Sequence, residues 1–149
     1  MRLYLVRHGD AEPTHPDVAR KVSPAGRAQV HRLADLAAAE GLHVDEIRHS
    51  GLARARETAE ILAAKLQPPL GVVEMAGLRP DDDVDDVAIE LGVTDGSLLI
   101  VSHMPFVARL AGRLMFGRRS PLAAPFATAE LRGLERDDGT WRAITGFRG

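Results

Sequence analysis

Apolar positions along this chain alternate between short unbroken runs and stretches where they return every three or four residues. Leu3-Tyr4-Leu5-Val6, inside Arg2–Arg7, reads as a buried strand by its continuity. Ser23-Pro24 then opens a helix, serine as cap and proline at the first helical position. Val30, Leu33, Ala34 and Ala37 form its inner stripe, and Gly41 ends it. A short strand is expected over Asp45–His49, centred on Ile47. A second helix follows from about Ala53, with Ala55, Thr58, Ala59, Leu62 and Leu66 on one face, and Pro68-Pro69 stops it. Leu70–Glu74 is a third expected strand. Val84, Val87, Ala88 and Leu91 predict a short helix overlapping the acidic run Asp81–Asp86. Leu98–Ser102 is the clearest buried strand, and Pro105 restarts a helix carrying Val107, Leu110, Ala111 and Leu114. Pro121 and Pro125 mark a loop. Phe126–Leu131 and Trp141–Thr145 are expected to close the fold as strands, with a hairpin at Asp138-Gly139.

Strands alternating with helices predict an α/β fold: a three-layer α/β/α sandwich on a mainly parallel sheet, the last hairpin adding antiparallel strands. No repeat and no linker divides the chain, so 1–149 is expected to be one domain. Its 149 residues, 45% of them hydrophobic, suffice for a core without staples. There is no cysteine, which excludes disulfides, thiolate nucleophiles and Cys-ligated metals, and fits a reducing compartment. A net charge of −2 does not suit a nucleic-acid partner. No apolar run approaches the roughly 20 residues of a membrane span, and the opening Met1-Arg2 meets charge too early for a secretory leader. A cytoplasmic protein is expected. Lys21 and Lys65 are the only lysines, so arginine, whose planar fork suits phosphate, supplies most of the positive charge. Compositional bias is the better account of that preference.

Ligands of open α/β sheets bind beyond the carboxyl ends of the strands, and that rule filters the candidates. The first strand ends in Arg7-His8-Gly9. The second ends in His49-Ser50, with Arg54 one helical turn on, and the fourth ends in Ser102-His103. Two histidines and two arginines therefore converge from three places. A neutral imidazole can attack phosphorus in line, and the charge spread over the phosphoryl oxygens calls for fixed donors, which bidentate arginines supply. Gly9 is expected to let the backbone approach a phosphate closely. The arrangement requires no metal or other cofactor. A zinc site built from His8, His15 and His103 lacks the fixed spacing of such sites.

Arg7-His8-Gly9 after the first strand resembles the signature of the histidine phosphatase superfamily, which includes the phosphoglycerate mutases. The chain's length makes it similar to the SixA-type phosphohistidine phosphatases. Val22-Ser23-Pro24-Ala25-Gly26, the run from Ser50 through Arg54 to Thr58, and Val101-Ser102-His103-Met104-Pro105 resemble the corresponding segments, so the likeness extends over nearly the whole chain. It implies a phosphoglycerate mutase-like fold and a phosphatase in which His8 becomes phosphorylated. Arg7 and Arg54 would clamp the phosphate, and His103 would donate to it from the far side. Arg56 competes with Arg54 along the same helix, but it can pair with Glu60 at i,i+4 and Arg54 holds the matching position. Two departures stand out. Gly51 replaces the family's usual proline, which is expected to loosen the turn before Arg54. Leu78-Arg79-Pro80 carries no glutamate where the mutase-like branch has its general acid, an absence shared by the SixA-type branch.

That absence has a chemical reading. An alkoxide leaving an ordinary ester needs a positioned acid, whereas imidazole leaving a phosphohistidine is a far better leaving group. Asp81, Asp82 or Asp83 could substitute, Asp81 being the candidate acid, or could form a solvated loop. Short loops leave little to build a lid, which favours a protein-borne substrate: a phosphohistidine protein, such as a histidine phosphotransfer domain. A small phosphate ester and a non-catalytic phosphate-binding module are the other readings. His15, His31, His43 and His49 are expected to be surface or structural, and Arg118-Arg119 a solvated pair.

Overall fold

A computed structural model describes residues 1–117 and 123–149; the expected Arg118-Arg119 pair and Pro121 lie outside the described residues. Six strands form one sheet: β1 (Arg2–Arg7), β2 (Glu46–His49), β3 (Val72–Glu74), β4 (Ser97–Ser102), β5 (Glu130–Asp137) and β6 (Thr140–Arg148). Their order is β3-β2-β4-β1-β5-β6. β1 to β4 run parallel, β5 is antiparallel to β1, and β6 is antiparallel to β5. Four α-helices connect them: α1 (Pro24–Ala39), α2 (Ala53–Leu66), α3 (Asp85–Val93) and α4 (Phe106–Phe116).

The continuous apolar runs are strands buried on both faces. Leu3 and Leu5 of β1, with Leu98 and Ile100 of β4, face a core that includes α3 and α4. Tyr4 and Val6, with Leu99 and Val101, face α1 and α2. The three-layer sandwich is therefore present. It also explains where a ligand goes. The chain leaves β1 toward α1 on one side of the sheet, and leaves the adjacent β4 toward α4 on the other. The loops part at the carboxyl ends of β1 and β4, which makes a crevice at a topological switch point. Among the described residues, no helix is long and apolar enough to cross a membrane.

Several predicted boundaries moved, β6 running on to Arg148 past the expected Thr145. β3 begins at Val72, not at Leu70. β5 begins at Glu130, so Phe126 lies in the irregular segment before it and not in a strand. Phe126 is buried as a plug, with the Arg132 guanidinium 3.9 Å from its ring centroid. Its apolarity serves tertiary packing rather than a pleat. The strand itself reads Glu-Leu-Arg-Gly-Leu-Glu-Arg-Asp, and its charges hid its alternation: Leu131 and Leu134 face opposite cores, across a register shift at Gly133/Leu134.

Candidate active site

β1 delivers Arg7 and His8 to the crevice, and the backbone there is pinned on both sides. The His8 amide donates to the Ser102 carbonyl (3.1 Å), while the Ala129 amide is shared between the Arg7 and His8 carbonyls (3.0 and 3.1 Å). His8 Nδ1 lies 2.7 Å from the Gly9 carbonyl. A carbonyl only accepts, so Nδ1 carries the proton and Nε2 keeps its lone pair. Burial, reinforced by the nearby positive charges of Arg54, Arg7 and Arg20, pushes the His8 pKa down to about 4. The ring is neutral at pH 7.

His103 follows β4 directly and is 1% exposed. Its ring centroid is 5.0 Å from that of His8, at an interplanar angle of 52°. Nε2 lies 2.6 Å from Ser50 Oγ, and Nδ1 is buried without a hydrogen-bond partner among the described residues. Burial, then the neighbouring His8 and Arg54, lowers its pKa to about 3. Arg7 donates through one terminal nitrogen to the Phe126 carbonyl (2.8 Å), and its buried Nε likewise has no partner among the described residues. Burial lowers the Arg7 pKa.

Arg54, in the first turn of α2, is also buried, but its fork is occupied. One terminal nitrogen donates to the Asp17 carbonyl (3.0 Å) and the other to the Asp17 carboxylate (3.3 Å). Asp17 belongs to a 3-10 turn (Asp17–Ala19), where Arg20 also holds its carboxylate (3.2 Å). These contacts, that with Arg20 first, keep the Asp17 carboxyl below its usual range. The loop after β1, expected to offer little cover, thus folds back onto Arg54. Arg56 instead reaches Glu60 at 3.8 Å on the exposed face.

Gly9 has a packing role in addition to the expected one. A Cβ there would lie 2.7 Å from Val30 Cγ2 and 2.9 Å from the Gly26 carbonyl oxygen, so glycine lets β1 pack against α1. Its amide donates to Thr58 Oγ1 (3.1 Å), which in turn donates to the Arg54 carbonyl (2.8 Å). Gly9 therefore ties His8 to the helix bearing Arg54. The Gly51 turn is not loose either. Gly51 takes φ +88°, closed to proline, and its amide donates to His49 Nδ1 (3.1 Å), while the Leu52 amide donates to Ser50 Oγ (3.3 Å).

Asp81 is exposed on the turn before α3. Asp82 accepts from the Arg79 amide and Asp83 from the Asp85 amide, each at 2.8 Å, so both shape the start of the helix. His15, His31 and His43 are exposed, His43 beside Asp45 at 2.9 Å, and His49 is buried in the turn. Among the described residues, no three histidine, aspartate or glutamate side chains gather to hold a metal ion. Sequence reasoning had assigned no role to Asp17, Arg20 or Ser50. Ser50 carried a signal, its place one residue past a strand end facing His103; the contact of Asp17 with Arg54 spans 37 residues and had none.

The profile of the histidine phosphatase superfamily (branch 1) matches residues 3–80. The chain belongs to that superfamily. It is 26% identical over 146 residues to the phosphohistidine phosphatase SixA of Escherichia coli (strain K12), an alignment covering 95% of this chain and 91% of that protein. The structure of a protein histidine phosphatase SixA complexed with tungstate superposes with a TM-score of 0.88 at 24% identity, covering 99% and 97% of the two chains. A putative alpha-ribazole-5'-P phosphatase from Escherichia coli str. K-12 substr. MG1655 shares the fold at TM-score 0.78 and 17% identity, over 97% and 95%. The family and the SixA homology make this chain a phosphatase.

Proposed function

We propose that the chain is a phosphohistidine phosphatase working through a covalent phosphohistidine on His8, without a metal. The observation that carries this reading is the fixed His8 tautomer: Nδ1–H is committed to Gly9, which leaves Nε2 as a nucleophile at neutral pH. In the first step the Nε2 lone pair attacks phosphorus, and the bond to the substrate's leaving nitrogen breaks. In the second, water attacks the same phosphorus and His8 Nε2 departs with its electron pair, giving inorganic phosphate. Arg7, Arg54 and His103 hold the phosphoryl oxygens.

The leaving group decides the substrate class. With Asp82 and Asp83 engaged at the start of α3, only Asp81 has an exposed carboxyl without a backbone role in that turn. A site without a committed acid suits a P–N bond, whose imidazole leaves readily, better than an alkyl ester. The likeness to the Escherichia coli SixA protein supports the same choice, and a phosphorylated protein, such as a histidine phosphotransfer domain, is the fitting partner. Turnover of a phosphohistidine peptide well above that of an alkyl phosphate, unaffected by Asp81→Asn, is the expected result. A preference for the alkyl ester, lost in Asp81→Asn, would instead identify a small-molecule phosphomonoesterase with Asp81 as its acid.

A further inference from the structure

Ser50 sits between the turn that presents Arg54 and the end of β4. Its hydroxyl makes two contacts, accepting from the Leu52 amide at 3.3 Å and meeting His103 Nε2 at 2.6 Å. A serine hydroxyl has one proton and two lone pairs. If His103 Nε2 carried the ring proton, it would donate to Ser50 Oγ, and the buried hydroxyl proton would have no acceptor. If the hydroxyl donates to Nε2, its proton and the Nε2 lone pair are both satisfied, and the ring proton on Nδ1 is the one polar group of the pair left without a partner among the described residues. We infer that Ser50 is a positioning residue for the phosphatase reaction, holding ligand-free His103 as its Nδ1–H tautomer with the Nε2 lone pair capped.

His103 is 1% exposed and neutral at pH 7, so it has one ring proton to place, and among the described residues Ser50 is the ring's sole hydrogen-bond partner. The tautomer therefore has one external determinant. The cap also governs how the ring becomes a cation beside a phosphate. A proton arriving at Nε2 requires the hydroxyl to turn from donor to acceptor, which the second lone pair of Oγ allows without moving either side chain. A side chain that cannot rotate a proton in this way would hold the ring less well in one or both states. This inference rests on the proposed role of His103, but the tautomer itself is a property of the unliganded chain.

The test is two-part. Imidazole ¹⁵N shifts of the ligand-free protein at pH 7 should show His103 as Nδ1–H in the wild type. In Ser50→Ala they should move to the Nε2–H form or a mixture, with the His8 pattern unchanged as proof of folding. Ser50→Thr, which keeps the hydroxyl, should retain the wild-type shifts. For a phosphohistidine peptide, kcat should fall by about ten- to a hundred-fold in Ser50→Ala, at or below the lower end of general acid–base contributions, and recover in Ser50→Thr. An Nε2–H tautomer in the wild type would overturn the inference, as would Ser50→Ala retaining the wild-type shifts. A tautomer set by Ser50 in a protein with no phosphohistidine turnover would uphold the positioning and refute the substrate reading.

Discussion

The two halves of the candidate site are built on different terms. The half carried by β1 and β4 is fixed by the sheet and left unsatisfied: among the described residues, Arg7 Nε and His103 Nδ1 are buried with no partner. The half carried by α2 satisfies itself, since Arg54 already holds a carbonyl and a carboxylate from Asp17. Buried polar atoms without partners are costly, so the strand half stores a demand that a phosphate would meet. The loop half must first give up a substitute anion. On the proposed function, an anion would gain new hydrogen bonds at one side and exchange them at the other.

The largest test of this contrast lies in the strand half. His8→Ala should abolish turnover, with a fall exceeding the roughly 10²–10³ in kcat that loss of one charge-stabilising donor costs; residual activity within tenfold of wild type would contradict it. Arg7→Ala should lose on the order of 10²–10³ in kcat. Arg54→Ala should lose less in substrate affinity than Arg7→Ala, because Arg54 surrenders existing bonds on binding; steady-state kinetics of both variants would show the ordering. Asp17→Ala should act oppositely to either arginine change. It removes the carboxylate but not the carbonyl contact, so inhibition by inorganic phosphate should tighten severalfold.

The strand half should also register in stability. His8 and His103 ionise with pKa values near 4 and 3 in the fold, against an ordinary 6.5. The unfolded chain therefore binds more protons than the fold between those values, and stability falls as pH drops from about 6.5 toward 4 and below. Tm measured across that window should decline, and a His8→Asn, His103→Asn double variant should decline less. The smallest effect concerns the bridge between the halves. Thr58→Val leaves the Gly9 amide without its acceptor and should cost about 1–3 kcal/mol, measurable by urea unfolding.

The same contrast explains what could be read from the sequence. β1 and β4 announce themselves because strands buried on both faces must be apolar throughout, and the residues that end them reach the crevice by that register. The placement of Arg7, His8 and His103 was therefore legible, while Arg54 was chosen over Arg56 by its matching position in the resembled family and by the pairing open to Arg56 and Glu60. Asp17 was not, because a polar side chain in a loop carries no periodicity that points to a partner 37 residues away. The packing role of Gly9 and the closed turn at Gly51 were not legible, because which neighbour a missing Cβ accommodates is decided by tertiary packing, for Gly9 by Gly26 and Val30. β5 was misplaced because Phe126 is apolar for tertiary reasons while the true strand, at a sheet position with partly exposed faces, is mostly charged.

The central claim is that His8 Nε2 takes the phosphoryl group from a phosphohistidine. Rapid quenching of the enzyme with a phosphohistidine peptide, in EDTA, followed by peptide mapping under alkaline conditions, tests it most directly. An acid-labile phosphoryl group on His8, formed faster than turnover and absent from His8→Ala, is the predicted result. Phosphate release with no label on His8, or equal release by His8→Ala, would contradict it.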